Sequence, residues 1–188
     1  MRGGTDMFDK NLSFSGRHAD RLRKLAPSKI AGEQADQRLT IFGSYVEVLP
    51  IAALVGFHWQ RCCEADHQQN ITDTNILLEQ VNRVRDELEF EYRLIMLLHD
   101  KKHIAREERL NRAFRYDGNE EKRKAGDEVF FGYIRGGIDI LYEKILGDST
   151  STDEDLLHLD EFLLEFHSMR GKDISMDDIL RLCNEASV

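Results

Sequence analysis

Proline is almost absent from this chain: Pro27 and Pro50 are the only two in 188 residues. With long Leu/Glu/Arg-rich segments, that scarcity argues for helices and against a turn-rich β fold. Cysteine is nearly as sparse. Cys62, Cys63 and Cys183 make no CxxC or other zinc spacing. Adjacent cysteines close a disulfide only with strain, so reduced thiols in a cytoplasmic protein are the expectation. No apolar run reaches the roughly 20 residues that span a bilayer, and the N-terminal MRGGTDMFDKN lacks the apolar core of a signal peptide. Nucleotide-binding glycine fingerprints and a GxSxG nucleophile elbow are also missing. These absences set the expectations of no enzyme, no cofactor, no resident metal and no membrane partner.

What the chain does have is one dense apolar stretch. FGSYVEVLPIAALVGFHW, Phe42 to Trp59, holds the run Leu49 to Phe57 and the only tryptophan. It reads as a core helix buried nearly all round, starting near Phe42 to Ser44 and ending near Ala65. Pro50 either opens the helix or kinks it. The helical spacing of Tyr45, Val46 and Leu49 favours a kink. The second long element spans Ile76 to His99, where Leu77, Val81, Val84, Leu88, Tyr92, Ile95 and Leu98 recur every three or four residues. Shorter helices accompany these two. One is basic, GRHADRLRKL, with Ser15 as N-cap. Another lies in KKHIAREERLNRAFR, continuing the long helix or starting a new one. A third, Val129 to Leu146, rests on Phe130, Ile134, Ile138, Leu141 and Ile145 and stops at Gly147.

The linker DSTSTDED precedes a helix with a Ser151/Glu154 capping box and a buried face of Leu156, Leu159, Leu163 and Phe166, ending at Gly171. A last short helix is expected from Ser175 to about Ala186. Residues 1–14 read as loosely docked, pinned by Phe8, Leu12 and Phe14, and HQQNITDT reads as a loop. The expected fold is therefore all-α: a single compact multi-helix domain of six or seven helices over 1–147, with an acidic C-terminal helical appendage over 148–188.

A net charge of −9 argues against a general nucleic-acid binder, yet the charge is uneven. Residues 101–125 carry nine Lys/Arg against five Asp/Glu, and residues 147–188 carry three against eleven. The basic stripe Lys102, Arg106, Arg109, Arg112 and Arg115 is the candidate contact surface for a partner or a nucleic-acid backbone, with Arg17, Arg21 and Lys24 as a second patch. Glu107 and Glu108 interrupt the stripe, and no recognition-helix pattern accompanies it.

Two other patterns have blander explanations. His99, His103 and Glu107 are spaced i, i+4 and i+8, and the first and third lie about 12 Å apart along a helix, too far for one ion. Gly136-Gly137 after Arg135 reads either as an anion site or as a place where two helices approach closely. Because two mid-helix glycines cost about 2 kcal/mol of propensity, close packing is favoured. The carboxylate clusters DELEFE and DEDLLHLDE read as solvated helix faces.

IFGSYVEVLPIAALVGF, YIRGGIDILYEKIL and LEFEYRLIMLLHD together resemble small helical proteins encoded beside bacterial DNA phosphorothioation (Dnd) genes and in other defence islands. The resemblance runs over about residues 8–147 and departs from the pattern at Pro50. It rests on hydrophobic pattern and carries over no catalytic residue. It implies a non-enzymatic accessory or interaction subunit of an anti-phage defence or DNA-processing complex, with larger protein subunits as partners. DNA would be reached through that complex, and a homo-oligomer is possible. The alternative is a nucleic-acid-binding regulator using the basic helix 101–115.

Overall fold

The computed structural model describes residues 7–26, 40–68 and 70–168. Its elements, in order, are β1 (Leu12–Phe14), α1 (Gly16–Leu25), α2 (Tyr45–His58), β2 (Thr74–Ile76), α3 (Leu78–Val81), α4 (Arg85–Leu98), α5 (Arg106–Phe114), α6 (Glu120–Leu141), a π-helical turn (Tyr142–Leu146) and α7 (Thr152–Ser168). The fold is all-α. No helix among the described residues is long and apolar enough to cross a membrane.

The centre is the pairing of α2 with α6. At Gly137 an added Cβ would collide with the carbonyl of Ala52, at Gly136 with that of Arg61, and at Gly56 with that of Tyr133. Gly56 on α2 and Gly137 on α6 therefore let the two helix backbones meet, Gly136 admits the chain just beyond α2, and close packing offsets the cost in helix propensity. Gly136-Gly137 is a packing device, as its propensity cost led one to expect. Val48, Leu49, Ala52 and Ala53 of α2 and Ile134, Ile138 and Leu141 of α6 are buried around it.

Five sequence expectations need correction here. First, α2 is not buried all round: Ile51 and Leu54 are exposed, and the helix ends at His58, where Gln60 takes φ 54° and the chain extends. It runs through Pro50. Second, the 76–99 element is broken. Ile76 belongs to β2, α3 is one short turn, and α4 starts only at Arg85, after Val84 leaves helical geometry at φ −118°, ψ 18°. A helical spacing continued on paper through a bend, because buried residues of separate elements still fell three or four apart.

Third, there is a small sheet. β1 and β2 pair antiparallel with Leu12 opposite Ile76 and Phe14 opposite Thr74. Their inward residues are buried and the residues between them exposed, the alternation a strand demands. The segment 7–14 is thus docked, and Phe8 sits edge-on to Phe130 at 6.1 Å. Fourth, α6 begins at Glu120, ahead of Val129. Asn119 caps it by accepting from the Lys122 backbone N–H at 3.1 Å.

Fifth, α7 buries Asp155 and Phe162 and half-buries Leu159, while Leu156, Leu163 and Phe166 stay largely exposed. The expected end at Gly171 and the helix from Ser175 lie outside the described residues.

Candidate functional site

The strongest polar feature is a carboxylate at the heart of the fold. Asp139 lies on α6 two residues past the glycine pair and is fully buried. An isolated buried charge is costly, so it needs partners, and it draws them from two segments. From α1, Arg21 Nη1 stands 2.7 Å from Oδ1, Arg17 Nη2 3.3 Å from Oδ2 and His18 Nε2 3.5 Å from Oδ2. From the extended segment after α2, Arg61 Nη2 is 3.6 Å and Cys63 Sγ 3.8 Å from Oδ2.

Glu143, one turn beyond Asp139, faces the same arginines. It accepts from Arg21 at 2.9 Å and from both terminal nitrogens of Arg61, at 2.5 and 3.0 Å. Burial pushes the Asp139 carboxyl up, but His18 and Arg21 outweigh it and hold it below its ordinary value. Glu143 is also held down, chiefly by its bonds to Arg61.

Local structure places these groups. Ser15 does not close the first turn of α1. Its hydroxyl donates to the Asp66 carbonyl at 2.6 Å, and the Asp66 carboxylate accepts from the Arg17 backbone N–H at 2.8 Å. Gly16 takes φ 56° there, and any Cβ would strike the Asp66 carboxylate. The chain between α2 and β2 therefore caps α1 from across the fold and sets Arg17, His18 and Arg21 facing α6. Arg135 fixes the same chain from the other side, its Nε donating to the Cys63 carbonyl at 2.8 Å. A cleft of about 790 Å³ opens beside Cys62, Cys63 and Arg135. Its lining mixes Lys10 and Lys124 with Glu64 and Glu128, so it favours neither sign of charge.

The two basic patches fare differently. Arg17 and Arg21 converge on Asp139, while Lys24 pairs with Asp20 at 2.8 Å and lies over the Tyr142 ring. On α5, Arg109 donates to the Leu97 carbonyl at 2.7 Å, Arg112 to Glu108 at 2.9 Å and Arg115 to Asn111 at 2.9 Å. Lys102 and Arg106 are exposed. Much of the stripe is thus engaged within the fold. The histidine pattern does not form a site. α4 stops at Leu98, Asp100 turns the chain at φ 44°, His99 Nδ1 meets the Tyr133 hydroxyl at 2.9 Å and His103 Nδ1 meets Asp100 at 2.6 Å.

Sequence reasoning missed His18, Arg61, Cys63, Asp139 and Glu143 as a group. One signal was readable: Asp139 is a lone carboxylate between apolar neighbours in GGIDILY, where a solvated face was not available.

The second notable surface is α7. Its inner side, with Asp155, Leu159 and Phe162, faces the body, and Phe162 stacks on Trp59 at 5.6 Å. Lys144 of the π turn ties to Glu165 at 2.5 Å. On the far side, Leu156, Leu157, Leu163 and Leu164 are 48, 56, 55 and 61% exposed. Spaced i, i+1, i+7 and i+8, they share one face, with Asp160 at its centre. The helix carries six carboxylates and no Lys or Arg.

Searches of protein-family models, curated proteins and solved structures each return no match to this chain.

Proposed function

We propose that this protein is a non-enzymatic interaction subunit that docks a larger protein through the outer face of α7. The observation that carries the reading is the four-leucine face itself. Large apolar side chains seated together on the surface of a helix already packed on its other side mark a contact surface. The charge of α7 specifies the partner: an apolar groove flanked by Lys or Arg, with a cation set to meet Asp160.

A second copy of the chain is a poor occupant. Asp160 lies midway between the two leucine pairs, so an antiparallel two-fold pairing of α7 brings Asp160 against Asp160. The resemblance to helical proteins of Dnd and other defence islands suggests the setting, an anti-phage defence or DNA-processing complex. A regulator binding nucleic acid through 101–115 is the weaker reading, because Arg109, Arg112 and Arg115 are already engaged within the fold.

The test is purification of the tagged protein from its host with nuclease present, beside Leu157→Glu/Leu164→Glu. A partner that survives nuclease and is lost from the double variant supports the proposal. A partner released by nuclease and retained by the variant overturns it.

A further inference from the structure

We infer that His18, Cys63 and Asp139 form a binding site for one zinc ion that clamps α1, the segment after α2, and α6 together. Three observations carry this. The ligand atoms of the three residues all lie within 4.8 Å of one another. The His18 side chain is 1% exposed, and among the described residues neither ring nitrogen makes a hydrogen bond, Nε2 having only its ion-pair contact with Asp139 Oδ2 at 3.5 Å. A buried imidazole whose only polar contact is a long one to a carboxylate requires an explanation.

The third observation is geometric. With zinc–ligand distances of about 2.1 Å for N and O and about 2.3 Å for S, tetrahedral ligands sit about 3.4 Å (N to O) and about 3.6 Å (S to O) apart. Here Nε2 to Oδ2 is 3.5 Å and Sγ to Oδ2 is 3.8 Å. Those two pairs need a shift of only a few tenths of an ångström, and the His18–Cys63 pair, within 4.8 Å, closes by up to about 1.2 Å to enclose the ion. One imidazole, one thiol and one carboxylate is also a donor set that suits zinc over calcium or magnesium.

The surrounding arginines are compatible with the ion. Arg17 and Arg61 stand 3.3 and 3.6 Å from Oδ2, beyond the usual hydrogen-bond range, and Arg61 has Glu143 as its stronger partner. Arg21 holds the other oxygen, Oδ1, which orients the carboxylate from outside the ligand set. On binding, the Cys63 S–H proton passes to solvent, so the ligand set supplies two negative charges, a thiolate and a carboxylate, while Glu143 offsets part of the arginine charge. Three protein ligands leave the fourth position to water.

The experiment titrates the full chain, stripped with chelator, first with Zn²⁺ by calorimetry and then with Co²⁺ by absorption. One Zn²⁺ per chain, a thiolate-to-cobalt charge-transfer band and tetrahedral d–d bands are expected. Cys63→Ser should abolish the charge-transfer band and weaken Zn²⁺ at least tenfold with its circular dichroism unchanged, while Cys62→Ser leaves both intact. No stoichiometric Zn²⁺ uptake by the wild type, or a band that follows Cys62 in place of Cys63, overturns the proposal. If Cys63→Ser fails to fold, His18→Gln takes its place. Loss of stoichiometric uptake and of the cobalt bands in that variant supports the site, and uptake equal to wild type overturns it.

Discussion

Replacing Gly137 by alanine sets two known effects against each other. In a helix interior alanine is better than glycine by about 1 kcal/mol, so an unpacked site gains stability. At Gly137 the new methyl meets the Ala52 carbonyl, a backbone group that cannot rotate away, and α2 and α6 must separate. Overpacking costs about 1–3 kcal/mol, and the rigid neighbour places this case at or above the upper end. The net expectation is a loss of about 2 kcal/mol or more, a fall in Tm of about 4–8 °C at this chain length.

Gly132 provides the contrast. Its Cβ would meet the Cys62 thiol, the end of an exposed side chain that can turn aside. Gly132→Ala should therefore be neutral or stabilise by up to about 1 kcal/mol. Urea denaturation and thermal melts followed by circular dichroism read both. A Gly137→Ala protein as stable as wild type, or a Gly132→Ala protein as weakened as Gly137→Ala, would refute the close-packed pair as the organising contact.

Other expectations follow from buried charge. Glu91 is 5% exposed, its Oε2 makes no hydrogen bond among the described residues, and burial followed by the nearby Glu87 pushes its carboxyl up to about 8. Because the folded state then holds a proton that the unfolded chain has released, stability should fall as pH rises from about 4.5 to 8 and level off above. Glu91→Gln should gain about 3–5 kcal/mol near pH 8 and little near pH 4.5; a gain that is the same at both pH values counts against the assignment. Asp139→Ala leaves three arginines and His18 without their shared carboxylate and should cost about 3–5 kcal/mol by urea unfolding, with a neutral result contradicting its role. On α5, Arg109→Glu should lose about 1–3 kcal/mol through its bond to the Leu97 carbonyl, whereas Arg106→Glu, exposed, should stay within about 0.5 kcal/mol. Equal effects from the two would remove the distinction between structural and free members of the stripe.

The helical character was legible because the long apolar spacings of α2, α4 and α6 persist over many residues. The glycine pair was also legible, since its propensity cost demanded a reason and favoured close packing over an anion site. Bends were not. Leu77, Val81 and Val84 keep helical spacing although Ile76 is in a strand and α3 is separate from α4, because residues facing one core share a spacing by accident. The strands β1 and β2 are three residues each, too short for alternation to be told from a loop. On α7 the leucines suggested a single buried stripe, but apolar residues occupy both sides and only packing decides which face is inward. The Asp139 cluster joins residues 17–21, 61–63 and 139–143, and such long-range convergence has no local signature beyond the isolated carboxylate.

The central claim, that α7 is a docking helix, is tested most directly by hydrogen exchange on the protein alone and bound to its captured partner. Slowed exchange over residues 152–168, with the α5 segment 106–114 unchanged, is the expected result. Protection confined to 106–114, with α7 exchanging as in the free protein, would contradict it.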